Sequence, residues 1–339
     1  MSRWFATLPP EGAARLTAQH VCNSLQDRLG EARVKTFDTA RYLTAFRNLL
    51  RSPDDSMVVD LMNQSLTVQC LDFGSTHVLI TALSPLTLFT LNLLRRQSIT
   101  TVHWFYEDYR RTSCWRDLLP GCDCVAAIQR GAIEEACRRQ GVAFAFLPTA
   151  AARGNTEAAP PPPGSAEYDV GFVGIPSSYR VRVLEKLAAA GMTIRIAGHG
   201  WSSYRGQLRP CIATDRWVEG ADASAVLESA RVGINLSVKS PAEVDPCDIH
   251  ISPRVFEVLA AGRVLLTEDV PLAEEVLRGY HYYTFRNPDH APRRVRDILG
   301  RTGSLQDAAG ADRARVLSRD TYDNRVEQLL RLVERDQSR

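Results

Sequence analysis

The segment ISPRVFEVLAAG (251–262) carries the chemically most suggestive spacing in the chain. Ser252 suits an N-cap, Pro253 a first helical position, and Gly262 the left-handed residue that ends a helix. A helix begun there presents unpaired amides beside the Arg254 guanidinium. That combination attracts an anion, the dipole alone contributing about 0.3–1 kcal/mol. Arg254 and Glu257 stand three apart on one face, while Val255, Phe256, Val258 and Leu259 form the buried side. Glu257, one turn deeper, could accept two hydroxyl hydrogen bonds from a ribose. The same residues also describe a capped helix whose surface Arg–Glu pair contributes well under about 1 kcal/mol. IAGHGW (196–201) closes an apolar run with Gly198 and Gly200, which let the backbone approach a ligand closely. Trp201 beside them could stack on a base or sugar, or fill core as tryptophans beside turns do. VHWFYEDYRR (102–111) gathers His103, Trp104, Tyr106, Glu107, Asp108 and Arg110 at the end of a strand-like run. His103 or Asp108 could orient or deprotonate a hydroxyl, which needs a group within about 2.6–3.2 Å. Equally, His103 reads as a satisfied core histidine, with Glu107 and Asp108 capping the following turn.

Other chemistries lack their signals. His20, His77, His199, His250, His281 and His290 form no H-x-x-x-H or H-E-x-x-H spacing, so zinc catalysis is not expected. G-x-S-x-G, Walker A and G-x-G-x-x-G are all missing, which counts against a hydrolase, a P-loop NTPase and a standard dinucleotide oxidoreductase. The eight cysteines include no C-x-x-C pair, and the N-terminus has no secretory signal, so reduced thiols in a cytoplasmic protein are expected. Basic residues number 41 and acidic ones 39, a net charge of +2 that is too balanced for coating nucleic acid or anionic lipid. Lys35, Lys186 and Lys239 are the only lysines; the arginine excess reads as genome composition, though arginine also suits bidentate phosphate contacts. The longest apolar stretch, 78–94, is interrupted by Ser84-Pro85 and diluted by threonines, so no transmembrane segment is expected. It reads as a buried strand, Ser84 as N-cap with Pro85 first in the helix, and a helix to 96.

These groups need elements to hold them. A chain of 339 residues argues for two domains. The clearest boundary is 149–168, where Pro160 to Pro163 stand in a row and favour an extended spacer. It divides the chain into 1–160 and 161–339. Before it, strands at 77–82, 100–108, 124–129 and 142–148 alternate with helices at 85–96 and 133–141. After it, strands at 168–174, 192–198, 231–237 and 263–268 alternate with helices at 180–191, 224–230 and 253–262. The rhythm predicts an α/β protein of two Rossmann-like parallel-sheet domains facing a cleft. Ligands then belong beyond the strand ends, in the loops after Gly174, Gly198, Ser237 and Glu268. In the first 76 residues, 11–30 and 39–51 read as helices, and 56–64 as a strand or the start of a helix. The stretch 313–336 is amphipathic, with Val316, Leu317, Val326, Leu329, Leu330 and Val333 available for burial.

Taken in order, TVHWFYEDYR (101–110), DVGFVG (169–174), IRIAGHGW (194–201), ARVGINLS (230–237), SPRVFEVLAAGRVLLTED (252–269) and TYDNRVEQLL (321–330) resemble the CgeB-like glycosyltransferases. These are GT-B proteins related to glycosyltransferase family 4. The resemblance implies transfer of a sugar from a nucleoside-diphosphate donor to an acceptor, whether protein, glycan or small molecule, with no bound metal and no cofactor. Glu257 matches the second glutamate of the family's E-x7-E motif, which holds the donor ribose. The first would fall at Ile249, flanked by Asp248 and His250, and here the chain departs from the pattern. The resemblance places the turn after Gly174, with Arg180, at the diphosphate and the base near the Val218 backbone. With Ser252 and Arg254 at the start of their helix, and Gly198 and Trp201 in the IAGHGW turn, these form the expected donor set. His103 and Asp108 would face the acceptor, Asp108 preferred to Glu107 because related sequences place an acidic residue before the arginine. In the family the terminal stretch packs against the fold, and in many GT-B proteins it crosses back to the N-terminal domain. Two other expectations stay open: a sugar-nucleotide epimerase on the same frame, and a catalytically idle binding or assembly protein, suggested by the missing first glutamate.

Overall fold

The computed structural model describes residues 2–50, 54–152, 166–218, 220–245 and 248–337. The chain forms two compact units, the first running to Pro148 and resumed from Arg325, the second spanning Thr149–Asn324. The first unit ends ahead of residue 160 because the chain beyond Pro148 is tied into the second. Ala151 bridges Thr321, and its amide donates to the Asp320 carbonyl at 2.9 Å. The prolines at 160–163 lie outside the described residues.

In the first unit the order is β1 (Trp4–Leu8), α1 (Gly12–Leu29), β2 (Val34–Asp38), α2 (Thr39–Leu49), α3 (Asp55–Asp72), β3 (His77–Thr81) and α4 (Leu88–Arg96). Then come β4 (Thr100–Phe105), α5 (Cys114–Leu118), β5 (Cys124–Ala127), α6 (Ala132–Gln140) and β6 (Ala143–Phe146). The described strands form one parallel sheet in the order β2-β1-β3-β4-β5-β6. Strands β1 and β2 were not expected; β1 is buried throughout, but five residues are too few to show a period. The open segment 56–64 is helical: the Asp54 carboxylate accepts from the amides of Ser56 and Met57 and starts α3. The helix expected from Ser84-Pro85 begins instead at Leu88, where the Thr87 hydroxyl accepts from the Thr90 amide. Ser84 turns inward, its hydroxyl 2.7 Å from that of Thr7 and 3.1 Å from that of Thr81.

The second unit holds β7 (Tyr168–Val173), α7 (Ser178–Ala189), β8 (Ile194–Ala197), β9 (Ile212–Thr214), α8 (Gly220–Glu228), β10 (Ala230–Ile234) and α9 (Pro253–Ala260). After these come β11 (Val264–Glu268), α10 (Pro271–Val276), β12 (Tyr282–Phe285), α11 (Ala291–Leu299) and α12 (Thr302–Arg319). Its strands are parallel in the order β12-β11-β10-β7-β8-β9. The chain starts at β7, winds outward to β9, then returns beside β7 with β10 and winds the other way. The topological switch point, where open parallel sheets leave a crevice, therefore lies beyond the ends of β7 and β10. The amphipathic stretch at 313–336 is not one helix: it breaks at Asp320–Thr321, and α13 (Tyr322–Gln337) enters the first unit from Arg325. Among the described residues no helix is long and apolar enough to cross a membrane.

Alternating side chains of the second sheet feed two cores, Phe172, Ile194, Ile196 and Leu266 on one face, Val173, Ala197 and Leu265 on the other. Two glycines set how tightly this unit closes. A Cβ on Gly233 would sit 2.5 Å from Val258 Cγ1, so the bare glycine lets α9 lie against β10. Gly198 has φ +147°, and a Cβ there would sit 2.2 Å from the Gly174 carbonyl oxygen. The Gly198→Ala variant combines a strained backbone with a clash against main chain. We expect it to lose at least about 1–3 kcal/mol of stability, read as a lower urea midpoint.

Candidate functional site

The switch point of the second unit is built around Arg180. Gly174 follows β7, its amide donating to the Ala197 carbonyl at 2.8 Å. The chain then turns into α7, which Ser177 caps by accepting from the Arg180 amide at 3.2 Å. From that first turn the Arg180 side chain reaches over Phe172, 5.6 Å from its ring centroid. Its Nε and Nη2 donate to the Leu236 carbonyl at 2.9 and 2.7 Å, and Nη1 to the Ile175 carbonyl at 3.0 Å. Leu236 follows β10, so the guanidinium bridges the two strands that flank the crevice. These carbonyls fix the orientation of the guanidinium.

Next to it lies Glu268, the last residue of β11 and 3% exposed. It accepts the Ser237 amide on Oε1 at 2.7 Å and the Ser237 hydroxyl on Oε2 at 2.9 Å. Burial pushes its pKa up to about 7, against the opposing pull of the Ser237 hydrogen bonds and Arg180. Tyr179 also hydrogen-bonds it, and burial raises the phenol well above its usual range.

Helix α9 opens at the same edge of the sheet. Ser252 Oγ accepts from the Arg254 amide at 3.3 Å. Arg254 Nη1 donates to Glu257 Oε2, and these side chains keep 20% and 14% of their surface. Val255, Phe256, Val258 and Leu259 are buried, so the face bearing Arg254 and Glu257 is the one left half-open.

Further along the edge, Trp201 is 1% exposed, its indole N–H donating to the Gly174 carbonyl at 2.8 Å. Phe172 and Tyr204 meet it edge-on, so Trp201 is a core residue whose faces touch protein, not a ligand platform. Gly198 likewise meets Gly174 backbone. The exposed aromatic surface belongs to residues the sequence did not single out. His199, after β8, stacks on Trp217, after β9, with centroids 5.3 Å apart and planes 23° apart; Trp217 is 46% exposed. Val218 beside it is buried.

In the first unit, His103 lies in the middle of β4, paired in register between Ile80 and Val125. It is 2% exposed, and burial holds its pKa down at about 4. The core reading describes it, and a ring so enclosed offers no proton acceptor to a hydroxyl. Asp108 is tied down as well: Oδ1 accepts Arg110 Nε at 2.8 Å, Oδ2 accepts Nη2 at 2.5 Å, and Gln129 adds 3.3 Å to Oδ1. Glu107 is half-buried, and its carboxyl is raised by burial and by Asp108 against the pull of Arg111.

Residues 180–331 match the family profile described as Glycosyl transferase-like. No curated protein sequence matches the chain. Solved structures match along nearly its whole length. A glycosyltransferase from Rickettsia africae ESF-5 is 9% identical with a TM-score of 0.65, covering 99% of this chain and 98% of that one. Sucrose-phosphate synthase from Thermosynechococcus elongatus is 12% identical at TM-score 0.65, covering 98% of each. HepE from Anabaena, solved with UDP-glucose, is 12% identical at TM-score 0.65, covering 98% of this chain and 99% of that one. The fold is GT-B.

Within this GT-B chain the sequence did not single out every group in the loops it flagged. Ser237 and Glu268 end the runs flagged for ligands, yet a serine and a glutamate at strand ends give no sign that they will meet. Trp217 carried a weak signal, an aromatic ring in a polar turn. Among the described residues, no three His, Cys, Asp or Glu side chains gather as a metal site. His103 offers a check on the burial argument. Its folded pKa lies below the unfolded value, so its contribution is intact above about pH 6.5 and declines as pH falls toward 4. His103→Phe should flatten that part of the stability curve, compared by urea unfolding at about pH 7 and about pH 5. An unchanged slope would mean that the ring is protonated in the fold.

Proposed function

We propose that the chain is a glycosyltransferase that takes a sugar from a nucleoside-diphosphate donor and passes it to an acceptor hydroxyl or related nucleophile, without a bound metal. The observation that carries this reading is the Arg180 guanidinium, fixed by carbonyls on both sides of the switch point. A glycosyl diphosphate leaves as an anion. A cation already oriented there stabilises charge that grows in the transition state and needs no rearrangement to do so.

In this reading Arg180 and Arg254 hold the diphosphate, with Ser252 capping the amides of α9. Glu257, oriented by Arg254, accepts the two ribose hydroxyls. The stacked Trp217 offers its exposed face to the nucleobase. The GT-B fold shared with HepE, which was solved with UDP-glucose, supports a uridine donor. On the acceptor side we assign proton transfer to Glu107, because Asp108 is committed to Arg110 and His103 is enclosed in the sheet.

Tryptophan fluorescence tests the donor assignment. Trp4, Trp104, Trp115 and Trp201 are at most 2% exposed, so a nucleotide reaching solvent-exposed indole meets Trp217. UDP should quench the parent protein and leave Trp217→Phe unaffected. Glu257→Ala should weaken UDP binding about ten- to hundredfold, the worth of one or two hydrogen bonds to a charged group, with an unchanged fold by circular dichroism. Binding of UDP, GDP and TDP by Glu257→Ala at parental strength would overturn the assignment.

A further inference from the structure

Glu268 has no part in the scheme above, yet it joins every segment of the switch point. It ends β11, and both its oxygens accept from Ser237, the residue after Leu236, whose carbonyl holds Arg180. Hence three pieces of chain, the end of β11, the turn after β10 and the first turn of α7, meet on one buried carboxyl. The charged and titratable groups around it are Tyr179 and Arg180 on α7, with Arg182 and Glu243 acting on Tyr179. On the solvent side the next residue, Asp269, pairs with Arg286 Nε at 2.5 Å.

We propose that Glu268 is a positioning residue that exchanges a proton with solvent as the Arg180 site fills and empties, a carboxylate when the site is empty and a carboxylic acid when a diphosphate lies against Arg180. This inference deepens the donor-binding reading and rests on it. An ionised Glu268 shares the field of Arg180. An incoming diphosphate places two negative charges on the same guanidinium, in an interior where screening is weak, and the buried carboxylate is the group that can yield. It does so without disturbing the turn. The Ser237 amide still donates to Oε1, and the new O–H on Oε2 donates to Ser237 Oγ, a hydroxyl able to accept as well as donate. The proton comes from water or buffer and returns on release. The near-neutral poise of this carboxyl lets the exchange occur at ordinary pH.

The test uses UDP-glucose, because both its phosphates are esterified and keep their charge near neutral pH, whereas the terminal phosphate of UDP titrates there. Affinity should tighten about three- to tenfold between about pH 8 and about pH 6, corresponding to a rise of up to one unit in the carboxyl's pKa on binding. Calorimetry near pH 7 in two buffers of different ionisation enthalpy should register proton uptake. Glu268→Gln should bind with the affinity the parent reaches at low pH, at every pH, and take up no proton. Ser237→Ala removes a hydroxyl that bonds both forms of Glu268 but bonds the charged carboxylate more strongly, so the transition should move to higher pH. A merely structural glutamate would not move it, and this variant keeps the test open if Glu268→Gln fails to fold. UDP-glucose binding that is independent of pH, with no proton uptake, would overturn the inference and leave the donor reading standing. No binding of UDP-glucose or of any other nucleoside-diphosphate sugar at any pH would overturn the donor reading, and this inference with it.

Discussion

A guanidinium held by the main chain at the centre of a parallel sheet is the constraint on which the second unit depends. Arg180 belongs to α7, yet its bonds go to the Leu236 carbonyl, fifty-six residues away. Those bonds exist because the winding order brings β7 and β10 side by side. Parallel sheets leave the carbonyls beyond their strand ends without partners, and backbone polar groups do not stay unpaired in an interior. Here an arginine meets that need and remains a cation. One side chain thereby closes the sheet's open end and charges the crevice.

The groups around it follow from the same geometry. In a right-handed crossover each helix begins at the edge where the preceding strand ends. The caps of α7 and α9, at Ser177 and Ser252, therefore open on one edge, and both bring an arginine in the first turn. Gly233 lets α9 lie close to β10 against Val258, and Gly198 lets the end of β8 touch that of β7. Small residues at these two points bring the charged ones together. Glu268 is the electrostatic counterweight: burial disfavours its charge, while Ser237 and Arg180 favour it, and the balance falls near neutrality.

Much of the frame was legible in the residues. The four strands and three helices read between 168 and 268 are all present, because buried parallel strands are β-branched runs and their crossover helices are amphipathic. The three-residue β9 and the elements from α10 to α11 went unread. The first 76 residues read less well, for local reasons. WFATL and VKTFD are five-residue strands, too short for a period, and α3 is apolar on its exposed side as well, with Met57, Val68 and Leu71 open to solvent. At Ser84-Pro85 a strong local cap signal lost to a tertiary one, because the Ser84 hydroxyl bonds Thr7 and Thr81 across the sheet.

The sequence by itself determined the α/β class and the capped helix with its Arg254–Glu257 pair, since periodicity, caps and i,i+3 spacing act over a few residues. Only the tertiary structure decided that Trp201 and His103 are core, that Trp217 is the indole left in solvent, and that Glu268 sits beside Arg180. Exposure and desolvation are properties of the packed whole. A side chain's chemistry depends on neighbours that the chain brings from far along its length.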